Sequence, residues 1–284
     1  MPATATKWEW EIGPKAGRFH INLAGQLRYR HLVASLVRRD FLLSYQQTVL
    51  GPLWVLAQPL LTLVTYVLVF GNIMRIGTGG IPPVLFYFSG IVLWNFFSET
   101  FLGITNTFRD NIHVFSKVYF PRIIMPLAFL STQFLRMLIQ LGLLLLLLAW
   151  YSLFRGFDVH LGMALLYCPL ALLFTGLISF STGLIFSLFT AKYRDMANLV
   201  NIGIRLLMFV TPVIYPLSSV HERVHWIVGL NPITPFFEMF RLSLLGHGTV
   251  VPWQLAYGLG FGTVVTLLAL YLFNRLSPRL IDVI

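Results

Sequence analysis

The chain has 284 residues, of which 57% are hydrophobic and only 11% are charged. Soluble domains carry about 25% charged residues, so the composition excludes an ordinary soluble protein and predicts one all-α polytopic membrane domain with short polar ends. The formal net charge of +10 would suggest nucleic acid for a soluble protein, but here the basic residues must first be placed against a membrane.

Two segments precede the first long apolar run. Residues 1–22 are polar and aromatic, and we expect them to be cytosolic. Residues 23–50 combine arginines with apolar positions at helical spacing, namely Leu32, Val33, Leu36, Val37 and Phe41. This pattern predicts an amphipathic helix in the cytosolic interface of the membrane, and a plain solvated helix is the alternative.

Six apolar stretches form the predicted membrane domain, residues 51–284. Each is close to or longer than the roughly 20 helical residues that a hydrocarbon core about 30 Å thick requires. They are Leu53–Phe70, Leu85–Thr107, Leu127–Phe154, Leu161–Phe189, Ala197–Tyr215 and Val251–Phe273. With a cytosolic N-terminus, fourteen of the 20 basic residues fall in cytosolic segments and four outside, so both termini are predicted to be cytosolic. The positive charge then serves orientation and anionic lipid, and we expect no nucleic-acid partner.

The segment 216–251, between the last two predicted spans, is too apolar for a solvated outer loop. Pro232 and Pro235 interrupt it, so we expect short helices that re-enter the outer leaflet. The run His221-Glu222-Arg223-Val224-His225 matches the zinc-protease motif H-E-x-x-H. We interpret it as the wet face of an interfacial helix without metal. An intramembrane zinc metalloprotease, with His221 and His225 as ligands and Glu222 as base, is the minor alternative.

Two other catalytic motifs are missing from the sequence. No glycine is followed by lysine, so the phosphate-cradling loop of an ATPase is absent, and no G-x-S-x-G elbow occurs. We therefore expect a transport subunit, not an enzyme, without a cofactor of its own. We expect any ATP hydrolysis that drives the transport to be carried out by a separate protein.

Several short motifs follow one another along the chain in a specific order. They are Arg39-Asp40, Thr48-Val49-Leu50-Gly51-Pro52-Leu53-Trp54, Gln58-Pro59-Leu60, Phe115-Ser116-Lys117-Val118-Tyr119-Phe120-Pro121-Arg122, Pro126-Leu127, Tyr193-Arg194-Asp195, Thr211-Pro212-Val213-Ile214-Tyr215-Pro216, and Asn231-Pro232-Ile233-Thr234-Pro235 with Glu238 and Arg241. In these motifs the sequence resembles the permease subunits of bacterial type-2 ATP-binding-cassette exporters for lipid-linked polysaccharides, the group that handles O-antigen, capsule and wall teichoic acid. The resemblance covers nearly the whole chain from about Leu36.

The resemblance implies a homodimer of this chain in the bacterial inner membrane. Two copies of a nucleotide-binding subunit, which bind ATP and magnesium, would dock on its cytosolic side. Undecaprenyl-linked polysaccharide, O-antigen foremost, would pass between the two permease chains from cytoplasm to periplasm. A permease for a drug or a small lipid is the alternative on the same architecture.

Two cytosolic segments are candidates for the contact with the ATPase subunit. The first is the basic, aromatic segment 108–126, with the candidate residues Asn111, Phe115, Lys117, Tyr119, Pro121 and Arg122. The second is the shorter loop 191–196, with Tyr193, Arg194 and Asp195. A plain connecting loop is the alternative for each.

Charged residues within apolar spans are costly and need partners. Glu99, Arg136 and Arg205 each lie about 10–15 Å from the cytosolic face at a rise of 1.5 Å per residue. We hypothesise that they form a cluster on the dimer-facing side, which either holds the spans together or contacts the pyrophosphate of the lipid carrier.

Aromatic residues crowd the second predicted span and the residues just after it. Sugars stack on aromatic faces, so these side chains are candidates to line the channel, with lipid-facing packing as the alternative. The candidates are Tyr87, Trp94, Phe97, Phe101 and Phe108.

Overall fold

The computed structural model describes residues 29–111, 120–157, 161–193 and 195–281, and over these ranges the chain is helical without β-strands. The helices are α1 (Arg30–Tyr45), α2 (Trp54–Tyr66), α3 (Pro83–Thr105), α4 (Thr107–Asp110), α5 (Ile124–Arg155), α6 (Leu161–Lys192), α7 (Met196–Val210), α8 (Glu222–Leu230), α9 (Thr234–Leu245) and α10 (Pro252–Ile281). Single turns of 3-10 helix occupy Gly51–Leu53 and Leu217–Ser219, and α2 continues as a π-helix over Val67–Ile73. The predicted N-terminal segment 1–22 and the candidate residues Phe115, Lys117, Tyr119 and Arg194 lie outside the described residues.

Five helical stretches in the described ranges are long and apolar enough to cross a membrane. They are Gly51–Ile73, Pro83–Thr105, Ile124–Arg155, Leu165–Lys192 and Pro252–Leu276. The prediction of an all-α polytopic membrane protein is thereby confirmed. These five stretches correspond to the first four and the last of the six predicted spans.

The remaining predicted span, Ala197–Tyr215, is shorter than its apolar run suggested. Helix α7 ends at Val210, and Thr211 is extended with φ −95° and ψ 139°. The residue before a proline is disfavoured in helical conformation, so Pro212 terminates the helix. The 15 residues of α7 reach about 22 Å at 1.5 Å per residue, less than a full hydrocarbon core. A sixth span stays a prediction.

Helices α3 and α6 form the centre of the bundle. Most of α3 is buried, whereas only a minority of the residues of α2, α5 and α10 are buried. A helix that is hydrophobic on all sides is suited to such a central position. The two helices approach closely because Gly183 has no side chain; a Cβ at this position would lie 3.1 Å from the backbone oxygen of Phe101.

Helix α1 packs its apolar face against the beginning of α5. Leu36 is buried there in a cluster with Ile124, Met125 and Ala128, while Arg38 and Arg39 are exposed. The predicted amphipathic character of this segment is therefore present in Arg30–Tyr45. Its location in the membrane interface stays a prediction.

Two short helices, α8 and α9, connect α7 with α10. Nearly all side chains of α9 are buried, because it packs against α6, α10 and α3. Pro235 lies in the first turn of α9, where its missing N–H removes no helical hydrogen bond. The short helices expected in segment 216–251 are thus present, and their re-entry into the membrane stays a prediction.

Candidate functional site

An ion pair links three helices at one end of the bundle. Arg136 of α5 approaches Glu99 of α3 with 3.7 Å between Nη1 and Oε2. Its Nη2 donates a hydrogen bond of 2.8 Å to Oγ of Ser44 in α1. The guanidinium also lies 5.5 Å from the centre of the Tyr45 ring. Arg136 therefore joins α1, α3 and α5, which are far apart in sequence.

A polar cavity of about 390 Å³ lies beside this ion pair, between α1, the end of α3 and the start of α5. The polar residues that line it include Asp40, Ser44, Thr107, Asp110, Asn111, Gln133 and Arg136. Asp40 and Asp110 are each paired with the preceding arginine, at 2.8 Å and 3.2 Å. Burial raises the pKa of the Tyr45 hydroxyl; Arg136 opposes this rise and Glu99 adds to it. The junction is suited to transmit movement between α1 and the spans.

The structure does not bring Arg205 into this cluster. Arg205 lies on an exposed face of α7 and forms no ion pair with any residue that the structure describes. Glu99 faces α5, about 200° around α3 from Phe97 and Phe101, which face the cavity beside α7. Within a single chain the structure therefore brings Glu99 and Arg136 together, as hypothesised, but not Arg205, because the helical register separates the two sites.

The five candidate aromatic residues lie in the core of the single chain. Each is at most 8% exposed. The Phe97 and Phe101 rings stack on one another, with centroids 6.2 Å apart and planes 4° from parallel. Trp94 contacts Phe97 at 5.7 Å, Tyr87 contacts Tyr66 at 6.4 Å, and Phe108 stacks on Phe273 at 5.7 Å. Phe97 and Phe101 also border an apolar cavity between α3, α6 and α7. A role of these rings in a glycan path stays a prediction.

A second charged pair is fully buried at the other end of the bundle. Arg241 is 2% exposed, and its Nη1 lies 3.4 Å from Oε1 of Glu238. Its Nη2 donates a hydrogen bond of 2.8 Å to the backbone oxygen of Val213, and its guanidinium lies 4.0 Å from the centre of the Phe86 ring. Glu238 Oε2 accepts a hydrogen bond of 3.0 Å from the backbone N–H of Thr249. Burial lowers the pKa of Arg241 to about 10, with Glu238 opposing the shift, so the guanidinium remains charged at neutral pH.

This buried pair connects four parts of the chain: α3, the segment after α7, α9, and the loop before α10. The absence of a side chain at Gly90 makes room for it, since a Cβ there would lie 2.6 Å from the backbone oxygen of Val213. Asn231 adds a nearby link, because its Nδ2 donates to Oγ1 of Thr211 at 2.9 Å and its Oδ1 accepts from the N–H of Ile233 at 3.2 Å. Pro232, which follows Asn231 in the chain, is half-buried. The candidate residues of this region thus hold the short helices in place.

The H-E-x-x-H run does not form the helical face that a zinc site requires. His221 precedes α8 as its N-cap, and its Nδ1 accepts a hydrogen bond of 3.3 Å from the N–H of Arg223. In the part of the chain that the structure describes, no group of three or more His, Cys, Asp or Glu could hold a metal ion. The minor alternative therefore has no third ligand among these residues.

The two candidate contacts for an ATPase lie at the same end of the bundle. The hydroxyl of Thr190, near the end of α6, donates to the backbone oxygen of Thr105 at the end of α3. Asn111 directly follows α4, and its Nδ2 donates a hydrogen bond of 3.1 Å to the backbone oxygen of Thr107. Pro121 and Arg122 lie just before α5 and are half-buried.

The second contact presents an exposed surface. Tyr193 is 46% exposed with Nζ of Lys192 5.1 Å from its ring centre, and Asp195 is exposed immediately before α7. The described residues of both segments can therefore meet one partner.

Sequence reasoning missed Ser44 and Tyr45 as partners of Arg136. These residues are separated from Arg136 by about 90 positions, and neither belongs to one of the motifs quoted above. The available signal was that Ser44 and Tyr45 place two hydroxyl groups, both able to accept a hydrogen bond, at the end of the predicted amphipathic helix.

Known proteins are similar to this chain over most of its length. The family profile described as ABC-2 type transporter matches residues 31–245, more than half of the chain. An O-antigen export system permease protein RfbA from Klebsiella pneumoniae is 26% identical over 254 residues, which are 89% of this chain and 95% of that protein. A protein of the same name from Myxococcus xanthus is 28% identical over 222 residues, which are 78% of this chain and 82% of that protein.

Proposed function

Because the chain belongs to the ABC-2 type transporter family, we propose that it is the permease subunit of an ATP-driven exporter of lipid-linked polysaccharide. The resemblance noted from the sequence motifs is confirmed at the level of this family. The observation that carries the proposed cargo is the similarity to O-antigen export permeases along 95% of the Klebsiella pneumoniae protein. Undecaprenyl-linked O-antigen, moving from cytoplasm to periplasm, is the cargo that fits best.

The chain is an integral membrane protein, and we place it in the bacterial inner membrane with both termini cytosolic. Two contacts support a common cytosolic side. Thr190 binds Thr105, and Phe108 stacks on Phe273, so the C-terminal ends of α3, α6 and α10 lie together. If these ends share the cytosolic side of the membrane, the chain would cross it a sixth time between α6 and α10. Helix α7 supplies about 22 Å of this crossing, and the following residues 211–216 add several residues of non-helical chain.

The proposed exporter contains two copies of this chain and two copies of an ATPase subunit. The ATPase, which would bind ATP and magnesium, docks on the segments 108–126 and 191–196. A displacement of the first segment would be passed to α5, and through Arg136 to α1 and α3. The ion pair and the packing of Leu36 thus supply a mechanical connection between the ATPase and the spans.

Deletion of the gene in its native host tests the proposed cargo. We expect surface polysaccharide to disappear from immunoblots of lipopolysaccharide, while undecaprenyl-linked glycan accumulates in the cytoplasm. A plasmid copy of the wild-type gene should restore both. Unchanged surface polysaccharide together with increased sensitivity to a drug would instead support the drug exporter.

A further inference from the structure

An apolar cleft of about 420 Å³ runs along α7 where this helix stands apart from the rest of the bundle. Helix α7 buries only Ala197, Val200 and Ile204. At Gly203, which lines the cleft, an added Cβ would meet no atom within 4 Å. The cleft is therefore open beside α7, between helices that belong to a membrane domain.

The side chains that line the cleft offer almost nothing to a polar ligand. None of them is charged, and the polar ones are Thr182 and Asn231. The hydroxyl of Thr182 donates to the backbone oxygen of Ile178 at 2.6 Å. The amide of Asn231 is engaged with Thr211 and with the N–H of Ile233. A sugar or a water molecule needs free hydrogen-bonding partners, so a hydrocarbon chain is the suitable occupant.

The dimensions of the cleft match one leaflet of a bilayer. Its lining residues on α7 extend from Met196 to Leu207, about 16 Å at 1.5 Å per residue. Half of a hydrocarbon core about 30 Å thick is about 15 Å. Because the cleft starts at the first residue of α7, it begins at the edge of the leaflet that holds the loop 191–196 and ends near the middle of the membrane.

A cation lies at the edge where the cleft begins. Lys192 is exposed at the end of α6, four residues before Met196. It lies about 9 Å along α6 beyond Phe186, which also lines the cleft. Lysine side chains at helix ends extend into the interface, where they meet lipid phosphates.

From these observations we infer that the cleft binds one acyl chain of a bilayer phospholipid whose phosphate lies against Lys192. The lipid fills the space between α7 and the bundle and thereby supports a helix that has little packing of its own. The site rests on the membrane placement of the proposed function. It is separate from the polar cavity at Arg136.

The substitution Gly203→Leu tests this site, because Gly203 lines the cleft and an added Cβ there meets no atom within 4 Å. Gly142→Leu in α5 is the matched control, since an added Cβ there also meets no atom within 4 Å and Gly142 is outside the cleft. The full chain is purified in mild detergent, and retained phospholipid is measured by native mass spectrometry. We expect one phospholipid per chain in the wild type and the control, and at least a tenfold loss in Gly203→Leu.

A phospholipid with a diazirine on its acyl chain, incorporated into vesicles with the wild-type chain, locates the contact. Crosslinks should concentrate at Phe186 and Val200, and Lys192→Ala should reduce retention of anionic phospholipid severalfold. If Gly203→Leu is poorly folded by size-exclusion chromatography, Leu207→Trp serves as the second cleft-filling variant.

Three outcomes would overturn the inference. The first is that a folded cleft-filling variant retains phospholipid at the wild-type level. The second is that the wild-type chain retains a polyprenyl lipid in place of the phospholipid. The third is that a cleft-filling variant dissociates from dimers to monomers without losing lipid. The last outcome would identify a second copy of the chain as the occupant. Lipid retention is measured without export, so a failure here leaves the proposed cargo to its own test.

Discussion

Replacement of Arg241 by methionine should destabilise the protein strongly. The side chain is 2% exposed and forms the ion pair with Glu238, the hydrogen bond to Val213 and the contact with the Phe86 ring. Methionine fills a similar volume but leaves the Glu238 carboxylate buried without its cation. Removal of one member of a buried ion pair costs about 3–5 kcal/mol. At about 2–4 °C per kcal/mol, the melting temperature should fall by about 10 °C.

The single cysteine provides the assay. Cys168 is 8% exposed, so a fluorogenic maleimide reacts with it when the bundle opens. Thermal unfolding of the purified chain is followed by this reaction. Arg223→Met, at an exposed position in α8, is the control and should melt within about 2 °C of the wild type, as surface substitutions generally do.

The double variant Glu238→Gln/Arg241→Met separates the loss of the ion pair from the loss of packing. Because no uncompensated carboxylate then remains buried, we expect it to recover part of the lost melting temperature. If Arg241→Met has the same melting temperature as the wild type, the buried pair does not hold the short helices in place. If the double variant is no more stable than Arg241→Met, the unpaired carboxylate is not the cause.

Three further predictions concern the junction, the ATPase contact and the histidine motif. Arg136→Glu should reduce export measured by immunoblot of surface polysaccharide, because it removes the link from α5 to Glu99 and Ser44. The charge swap with Glu99→Arg should restore part of the export. Equal export by the wild type, the single variant and the charge swap would contradict the proposed junction. Asp195→Arg should weaken co-purification of the ATPase subunit with this chain and lower the permease-stimulated ATPase activity severalfold. Arg223→Met is the control. Unchanged binding would show that the loop 191–196 is not part of the contact. Glu222→Gln should leave export intact, and elemental analysis should find less than one zinc per chain; loss of export with stoichiometric zinc would restore the metalloprotease alternative.

The sequence alone determined the rough position of the five long apolar helices. A bilayer of known thickness and a rise of 1.5 Å per residue make this largely a matter of run length. The end of α7 could also have been read from Pro212, because proline disfavours helix at the preceding residue. The apolar face of α1 followed from its helical spacing.

The tertiary structure alone decided which faces of these helices meet. Lipid is as apolar as the protein core, so side chains that face either one look alike in sequence. The aromatic residues of α3 could therefore be interpreted as a channel lining, although each of the five candidates is buried in the single chain. The same uncertainty of register placed Arg205 beside Glu99, whereas the folded chain pairs Glu99 with Arg136 and anchors Arg136 on Ser44, 92 positions away. Contacts of this kind depend on the rotation of each helix about its axis. The sequence does not reveal this rotation, because both the lipid-facing and the core-facing sides of the helix are apolar.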